Sequence, residues 1–283
     1  MAFPHKLHHF YHQRLVHHQL TVTQMTFSPS GRYLLAVSRD RTWSLWAAER
    51  TTETAWPLFG KLSYCPFKSE MAHSRIIWTC AWSPDDLYFF TGSRDKKLCI
   101  WLAPSSEALS NFSTATSDTC PAHRVDCLDC FSQAVTAVSV TNASQTRAYL
   151  IAVGLELGGL AITVWSPPDN CTSPMSTLTS GGCNGAGWRR LVYFPTHWSH
   201  LATGQVRRLH FLSPTLHLSP TLKEACHDVV RGEQDDRHVD QINPTADGED
   251  GEEIGWLASC ADDGLVRVFQ FHRSRLVHFI HTG

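Results

Sequence analysis

A stretch of 29 residues occurs twice in this chain without a gap, and no other feature constrains the fold as strongly. Residues 18–46 align with residues 73–101, and eight of the 29 aligned positions are identical. Three of these identities are His18 with His73, Asp40 with Asp95 and Trp46 with Trp101. Repetition on this scale indicates a fold built from stacked supersecondary units.

The residue pattern of each copy predicts short strands separated by tight turns. In the first copy, TVTQMTF predicts a strand, SPSG a turn, YLLAV a buried strand and SRDR a second turn before TWSLW. A histidine precedes the first strand, an aspartate follows 22 residues later, and a tryptophan follows six residues after that. This is the spacing of WD repeats, in which four strands form one blade. The sequence therefore predicts an all-β fold, a WD40-type β-propeller.

The resemblance to WD repeats implies a buried polar chain in each blade. In that family the histidine bonds the turn aspartate, and a Ser or Thr hydroxyl links the histidine to the indole N–H, which satisfies polar groups that lose contact with water. The second copy contains the full set, namely His73, Thr91, Asp95 and Trp101. The first copy contains His18, Asp40 and Trp46, but Ala36 occupies the hydroxyl position. We therefore expect the first blade to be less tightly braced.

Two weaker units follow the repeat. AVTAVSV at 134–140 and YLIAVGLELGGLAITVW at 149–165 predict a third blade, with Glu156 in the aspartate position and Trp165 closing the unit. A fourth unit begins near His200 and resumes as WLASCADDGLVRVF, which places Ser259 and Asp263 in the polar chain. Phe269 replaces the tryptophan there and cannot donate a hydrogen bond.

These units predict about four blades, which is a partial propeller. We expect blades near 17–47, 72–102, 134–166 and 198–270, a histidine-rich leader at 1–16, and disordered insertions at 103–133, 166–197 and 213–253. Since a propeller closes at four to eight blades of about 40 to 45 residues, we expect an incomplete protein whose missing blades lie upstream. An open arc would leave strand edges unpaired.

Charge is distributed unevenly along the chain. Residues 224–253 contain 11 acidic and two basic residues, which leaves 22 Lys or Arg against 15 Asp or Glu elsewhere. In a propeller, the histidine loop and the aspartate turn lie on the same face. Five basic residues should therefore converge there as candidate partner contacts: Arg39, Arg41, Arg75, Arg94 and Lys96. Basic faces of this kind suit carboxylate or phosphate partners.

The sequence gives little support for metal binding or catalysis. Cys120, His123, Cys127 and Cys130 lie within eleven residues, but structural zinc sites usually pair two short spacings across a turn. A zinc-binding protein or enzyme remains the least favoured alternative. No nucleophile elbow, phosphate loop, dinucleotide fingerprint or H-E-x-x-H motif occurs. We predict a non-enzyme with no catalytic residues, no metal and no cofactor. Composition and the lack of a signal peptide favour an intracellular protein with reduced cysteines.

The amino-acid sequence of the first two units closely resembles that of the carboxy-terminal propeller in the Elongator complex protein 2 family of WD repeat subunits. AVTAVSV, YLIAVGLELGG and ASCADDGLVRVF resemble later blades of that family in the same order. The resemblance implies a noncatalytic scaffold that bridges the large propeller subunit and the catalytic subunit of Elongator. It further implies a role in modifying carbon 5 of the tRNA wobble uridine, an indirect association with tRNA, no membrane, and a location in cytoplasm and nucleus. The alternative is a WD repeat adaptor of another assembly, such as a ubiquitin ligase or a signalling scaffold.

Overall fold

In the part of the chain that the structure describes, fifteen strands form four antiparallel sheets that follow one another in sequence. The computed structural model describes residues 14–49, 58–64, 73–104, 122–143, 147–167, 191–194, 199–200, 204–212 and 254–282. Each sheet is a meander in which sequential strands are neighbours, so each corresponds to one propeller blade. The prediction of an all-β WD40-type propeller with four recognisable blades is confirmed.

The strands have the following bounds. Blade 1 contains β1 (Val22–Phe27), β2 (Tyr33–Ser38), β3 (Trp43–Glu49) and β4 (Leu58–Tyr64). Blade 2 contains β5 (Ile77–Trp82), β6 (Tyr88–Ser93), β7 (Leu98–Leu102) and β8 (His123–Leu128). Blade 3 contains β9 (Val135–Asn142), β10 (Tyr149–Leu155), β11 (Leu160–Trp165) and β12 (Val192–Tyr193). Blade 4 contains β13 (Val206–Phe211), β14 (Ile254–Ala261) and β15 (Val266–His272).

The first strands of successive blades are joined by hydrogen bonds from side chains to backbone. Thr23 of β1 donates its hydroxyl to the carbonyl of Ile77 at 2.6 Å. The backbone N–H of Val138 donates to the Thr79 hydroxyl at 3.2 Å, and Thr136 donates to the carbonyl of Val206 at 2.8 Å. These bonds satisfy buried polar groups and fix the order β1, β5, β9, β13 along the inner side of the arc.

Aromatic side chains fill the space between neighbouring blades. The indole of Trp43 in blade 1 packs edge-on against Phe89 and Trp101 of blade 2, with ring centroids 5.0 and 5.1 Å apart. Between blades 2 and 3, Tyr88 packs edge-on against Trp165 at 5.0 Å. Edge-to-face pairs at these distances add to the stabilisation that burial alone provides. Blades 1, 2 and 3 therefore share two continuous apolar interfaces.

The outer strands correct part of the predicted domain organisation. The range 103–133 was expected to be a disordered insertion, but it contains β8, which pairs with β7 over its length. The range 166–197 likewise contains the short strand β12. Both strands join their sheets through backbone pairing, and the family signature places no diagnostic residue in this outermost strand. Residues 1–13 of the leader and the whole of 213–253 lie outside the described residues.

A helix follows the last strand of blade 4. This helix, α1 (Arg273–Thr282), places Val277 and Ile280 against the apolar cluster that contains Leu160 and Ile162 of blade 3. It therefore covers the junction between blades 3 and 4, where the sequence predicted neither a helix nor a further strand. Among the described residues, no helix is long and apolar enough to cross a membrane.

The two ends of the arc present apolar side chains to solvent. On β1, Met25 is 67% exposed and Phe27 is 56% exposed. On β15, Val266 is 71% exposed and Val268 is 58% exposed. The equivalent faces of blades 2 and 3 are buried against their neighbours, so the terminal blades differ from the internal ones in lacking a packed partner within the described residues.

Two glycines permit the close approach of successive blades. A Cβ at Gly92 would lie 2.4 Å from Val135 Cγ1, and a Cβ at Gly154 would lie 2.5 Å from Val206 Cγ1. Gly92 and Gly154 are each the last but one residue of the second strand, in blades 2 and 3 respectively. Each valine belongs to the first strand of the next blade, so the same device operates at both junctions.

We expect Gly92→Ala to destabilise the chain, because the added methyl group would overlap a valine held on a packed strand. The expected loss in free energy of unfolding is about 1–3 kcal/mol, measured by urea unfolding followed by circular dichroism. Adding Val135→Ala should recover part of the loss by making room for the methyl group. Equal stability of Gly92→Ala and wild type would contradict this packing.

Candidate functional site: polar relays that hold a basic face

Blade 2 contains a complete hydrogen-bond relay from tryptophan to aspartate. The Trp101 indole N–H donates to the Thr91 hydroxyl at 2.8 Å, and that hydroxyl lies 2.8 Å from His73 Nε2. His73 Nδ1 lies 3.0 Å from the Asp95 carboxylate. Since an indole only donates and a carboxylate only accepts, the hydroxyl donates to Nε2 and Nδ1–H donates to Asp95. Every predicted member of this relay makes a directional bond.

Blade 1 contains the same relay with its hydroxyl on a different strand. Ser44 of β3 lies 2.9 Å from His18 Nε2 and accepts from the Trp46 indole at 3.0 Å. His18 Nδ1 lies 3.2 Å from Asp40. Ser44 is the direct cross-strand partner of Ala36, and Thr91 is likewise opposite Cys99. The expectation that Ala36 leaves this blade poorly braced was wrong, because the hydroxyl reaches the same place from the facing strand.

Blade 4 contains a shortened relay. His200 Nδ1 lies 2.6 Å from Asp263, and His200 Nε2 lies 2.8 Å from the Ser259 hydroxyl. Phe269 occupies the tryptophan position, where it is the cross-strand partner of Leu257 and provides only apolar contact. Arg267 adds a bond to Asp263 at 2.9 Å, which the other relays lack among the described residues.

Blade 3 replaces the relay with apolar side chains, and Glu156 does not occupy the aspartate position. The backbone N–H of Glu156 bonds the carbonyl of Ala134, as that of Arg39 bonds Thr21 in blade 1, so Glu156 corresponds to Arg39. The aspartate position is therefore Leu157, which is 60% exposed. Trp165 lies beyond the tryptophan position of the other blades, and its indole N–H donates instead to Asp126 of blade 2 at 3.0 Å.

The relay aspartates are held in their ionised form. Burial opposes ionisation of Asp95, but the bond from His73 and the backbone N–H groups of Ser74 and Lys97 outweigh it, so the pKa of Asp95 lies below its ordinary value. Burial likewise opposes ionisation of Asp40, and bonds from Thr42 and Gln19 keep its pKa lowered. For Asp263 the net effect of burial and of bonds from Leu265, His200 and Arg267 lowers the pKa to about 2.

Each relay aspartate fixes the tight turn that follows it. Asp40 accepts from the backbone N–H of Thr42 at 2.9 Å, and Asp95 accepts from that of Lys97 at 3.1 Å. The residue between each aspartate and the residue whose N–H it accepts adopts a left-handed conformation, with φ of 72° at Arg41 and 68° at Lys96. The corresponding residues in blades 3 and 4 are Gly158 and Gly264, with φ of 84° and 76°. Blades 1 and 2 therefore hold long basic side chains where the backbone favours glycine.

Three of the five candidate partner contacts line one groove. A cavity of about 560 Å³ lies between the β2–β3 turn of blade 1 and the loop before β5, and its described lining comprises Arg39, Arg41, Ser74, Arg75 and Ile76. Arg94 and Lys96 are exposed on the next turn of the same face but do not line the groove. The groove therefore combines residues that are about 35 positions apart in the sequence.

Two arginines of this face, Arg39 and Arg75, differ from some other arginines in the described residues in making no ion pair there. Arg32 lies 3.8 Å from Asp86, and Arg207 bonds Asp262 at 2.8 Å. Within the described part of the chain, no carboxylate lies within ion-pair distance of Arg39 or Arg75. These two guanidinium groups are thus available to an anionic partner, for which their planar donor geometry is well suited.

The charge at one turn position changes sign along the arc. The position occupied by Arg39 in blade 1 and Arg94 in blade 2 is occupied by Glu156 in blade 3 and Asp262 in blade 4. The basic face is therefore confined to blades 1 and 2. This pattern was missed in the sequence because Glu156 was assigned one position too far along its turn.

The cysteine cluster is only partly described. Cys120 and the side chain of His123 lie outside the described residues. Where side chains are described, no three His, Cys, Asp or Glu residues converge on one point. Cys127 lies 3.1 Å from Cys99 across the β7–β8 pair, a contact that the spacing of the cluster did not predict.

Comparison with known proteins agrees with this geometry. Residues 10–47 and 65–101 match the family described as WD domain, G-beta repeat, which are the first two blades and the segments leading into them. The chain has the WD40-type propeller fold. One similar solved structure, the crystal structure of RRP9 WD40 repeats, has a TM-score of 0.42 and 17% identity over 69% of this chain and 43% of that chain.

The resemblance to Elongator complex protein 2 is confirmed. This WD40 chain is 36% identical to the rat protein of that name over 93% of its own length and 26% of the relative's length. It is 45% identical to the human protein over 56% of its own length and 18% of the relative's. The chain thus spans about a quarter of the length of the curated relatives that match 93% of it.

We expect Ser44→Ala to destabilise this WD40 chain, because it leaves His18 Nε2 and the Trp46 indole N–H without their shared partner in a buried site. The expected loss is about 1–3 kcal/mol in free energy of unfolding, measured by urea unfolding. Adding Ala36→Ser places a hydroxyl on the facing strand, as in blade 2, and should recover part of the loss. Wild-type stability in Ser44→Ala would contradict the proposed bracing.

The lowered pKa of Asp95 makes stability fall in acid. Because the folded state holds Asp95 with a pKa below that of the unfolded chain, its contribution is complete above the unfolded pKa and is lost as pH falls through the folded one, below about pH 4. Asp95→Asn should therefore be less stable than wild type at neutral pH, with a smaller further loss in acid. Urea unfolding at several pH values measures both effects.

Asp129→Asn is the matched control for this experiment. Asp129 is 46% exposed and lies 4.0 Å from Lys97, so its removal should change stability little at any pH. If Asp95→Asn had the same acid dependence as wild type and Asp129→Asn, the relay would not be the source of the pH effect.

Proposed function

We propose that this chain is a noncatalytic scaffold portion of the Elongator complex, in which the groove of Arg39, Arg41 and Arg75 binds an acidic surface of another subunit. Its relatives over 93% of the chain bear the name Elongator complex protein 2, which supports membership of that assembly. The observation that carries the proposal is the groove itself, where arginines from two blades converge without a described carboxylate partner at Arg39 or Arg75.

The groove is suited to a carboxylate-rich partner because its backbone is already fixed. The bond between His18 and Asp40 holds the β2–β3 turn, and the bond between His73 and Asp95 holds the loop before β5. Little backbone entropy is therefore lost when a partner binds. Most of the conformational entropy lost on binding is that of the arginine side chains. A bidentate bond between guanidinium and carboxylate supplies direction as well as charge.

The role within the complex is proposed from the resemblance to Elongator complex protein 2. In this proposal the chain bridges the large propeller subunit and the catalytic subunit, and the reaction at carbon 5 of the wobble uridine takes place on the catalytic subunit. Its association with tRNA is indirect, and it acts in cytoplasm and nucleus. Stacked blades suit this role because loops from several blades lie on one frame and offer more than one partner surface.

We expect the double variant Arg39→Ala and Arg75→Ala to bind the remaining Elongator subunits at least about tenfold more weakly, since each lost charged hydrogen bond is worth about 1.5–3 kcal/mol. The tagged chain would be titrated against the purified remaining subunits at low and moderate salt. The variant should also show a weaker salt dependence, because screening acts on the charges it removes.

Two further variants make the result specific. Arg41→Gly removes a charge from the groove while giving the left-handed position its preferred residue, so it should weaken binding without loss of stability. Arg207→Ala removes an equal charge from blade 4, where Arg207 already pairs with Asp262, and should bind as wild type does. Equal weakening by Arg207→Ala and the double variant would overturn the role of the groove. Recovery of a different stoichiometric complex from cells, without Elongator subunits, would overturn the assignment to Elongator.

A further inference from the structure

Cys99 and Cys127 face each other directly on two paired strands of blade 2. They are register partners in the β7–β8 ladder, and their sulfur atoms lie 3.1 Å apart. Antiparallel partners have Cα atoms about 4.5–5.5 Å apart, which lies within the range of about 4.4–6.8 Å that disulfides span. The sulfur atoms need only approach by about 1 Å to reach bonding distance. A disulfide here therefore requires no movement of the backbone.

The two thiols differ in access and in acidity. Cys99 is 1% exposed, whereas Cys127 is partly exposed on the outer strand. The hydrogen bond from Cys99 lowers the pKa of Cys127, burial opposes this, and Arg124 and Lys97 add to the lowering while Asp95 acts against it. The same bond and burial raise the pKa of Cys99. Cys127 is thus the more nucleophilic sulfur, and Cys99 is the one placed to react second.

We propose that Cys99 and Cys127 form a reversible intramolecular disulfide when the protein meets a peroxide. The Cys127 thiolate attacks one peroxide oxygen, the O–O bond breaks, and Cys127 becomes a sulfenic acid while the departing hydroxide takes up a proton as water. Cys99 then loses its proton and attacks the Cys127 sulfur, the S–O bond breaks, and the second hydroxide leaves as water. Two thiols are oxidised and one peroxide is reduced to two waters. A dithiol reverses the reaction by exchange.

The disulfide would lock the junction between blades 2 and 3. Cys127 is adjacent to Asp126, whose carboxylate accepts the indole N–H of Trp165 in blade 3. Because β8 is the outermost strand of blade 2, it is held to the sheet by β7 alone. A covalent tie between β7 and β8 would fix Asp126 in the position that blade 3 requires. Oxidation would then strengthen the arc that carries the basic face, independently of which partner that face binds.

The test uses the full chain, reduced and treated with a chelator, and then titrated with hydrogen peroxide. Remaining thiols are alkylated under denaturing conditions and mapped by mass spectrometry. Alkylation of Cys99 and Cys127 should fall in parallel, at a peroxide dose about tenfold below that needed for the fully buried Cys80. A peptide pair joined through these two residues should appear and should disappear after dithiothreitol. Circular dichroism checks that the protein stays folded throughout.

Two variants distinguish this disulfide from other cysteine chemistry. In Cys99→Ser the Cys127 sulfenic acid should persist and be trapped by dimedone, whereas Cys130→Ser should form the disulfide as wild type does. If Cys99→Ser fails to fold, the thiol mapping of the wild-type chain still tests whether Cys99 and Cys127 pair. Pairing of Cys127 with Cys130, oxidation of Cys127 without loss of the Cys99 thiol, or a uniform loss at all cysteines would each overturn the proposal.

Discussion

The directional relay from indole through hydroxyl and imidazole to carboxylate is the interaction on which the basic face depends. It begins at a tryptophan in the sheet, as at Trp101, and ends at an aspartate in the turn, as at Asp95. The aspartate in turn accepts the backbone N–H that closes the turn. Each buried polar atom is thereby satisfied by the next, which is the condition under which a buried network stabilises a fold. The position of the surface arginines follows from bonds made inside the blade.

Blade 3 lacks the histidine, the hydroxyl and the aspartate of the relay together. Phe131 occupies the histidine position, three residues before the carbonyl that accepts the turn N–H, and it packs with Val153 and Ala161 where the hydroxyl would lie. Leu157 takes the aspartate position and turns outward. A single polar member left in this cluster would be buried without a partner, at a cost of about 1–3 kcal/mol. In blade 3, apolar side chains occupy the histidine and hydroxyl positions together, which avoids that cost.

The sequence predicted the blades better than it predicted the hydroxyl of the first relay, the outer strands and the groove. The strand pattern and the spacing of His73, Asp95 and Trp101 were sufficient for the fold and for one entire relay, because these residue types recur at a fixed interval. The Ser44 hydroxyl was missed because cross-strand register, which makes it equivalent to Thr91, is not visible in a linear alignment. The strands β8 and β12 were missed because an outer strand depends on backbone pairing and on the sheet already formed. Arg39, Arg41 and Arg75 were predicted to converge, but the closure of a groove around them depends on how two blades pack.

The turn conformations explain why the basic face is a distinct feature and not a by-product of the fold. All four turns place one residue in the left-handed region, and Gly158 and Gly264 meet that requirement at no steric cost. Arg41 and Lys96 meet it at a cost of about 1 kcal/mol each relative to glycine. Neither side chain is needed to close its turn, because the bonds of that turn are made by backbone groups and by the relay aspartate. Blades 1 and 2 therefore keep a basic side chain where stability alone favours glycine. Two residues earlier they carry Arg39 and Arg94, where blades 3 and 4 carry carboxylates. Such local strain is typical of positions whose side chains act on a partner.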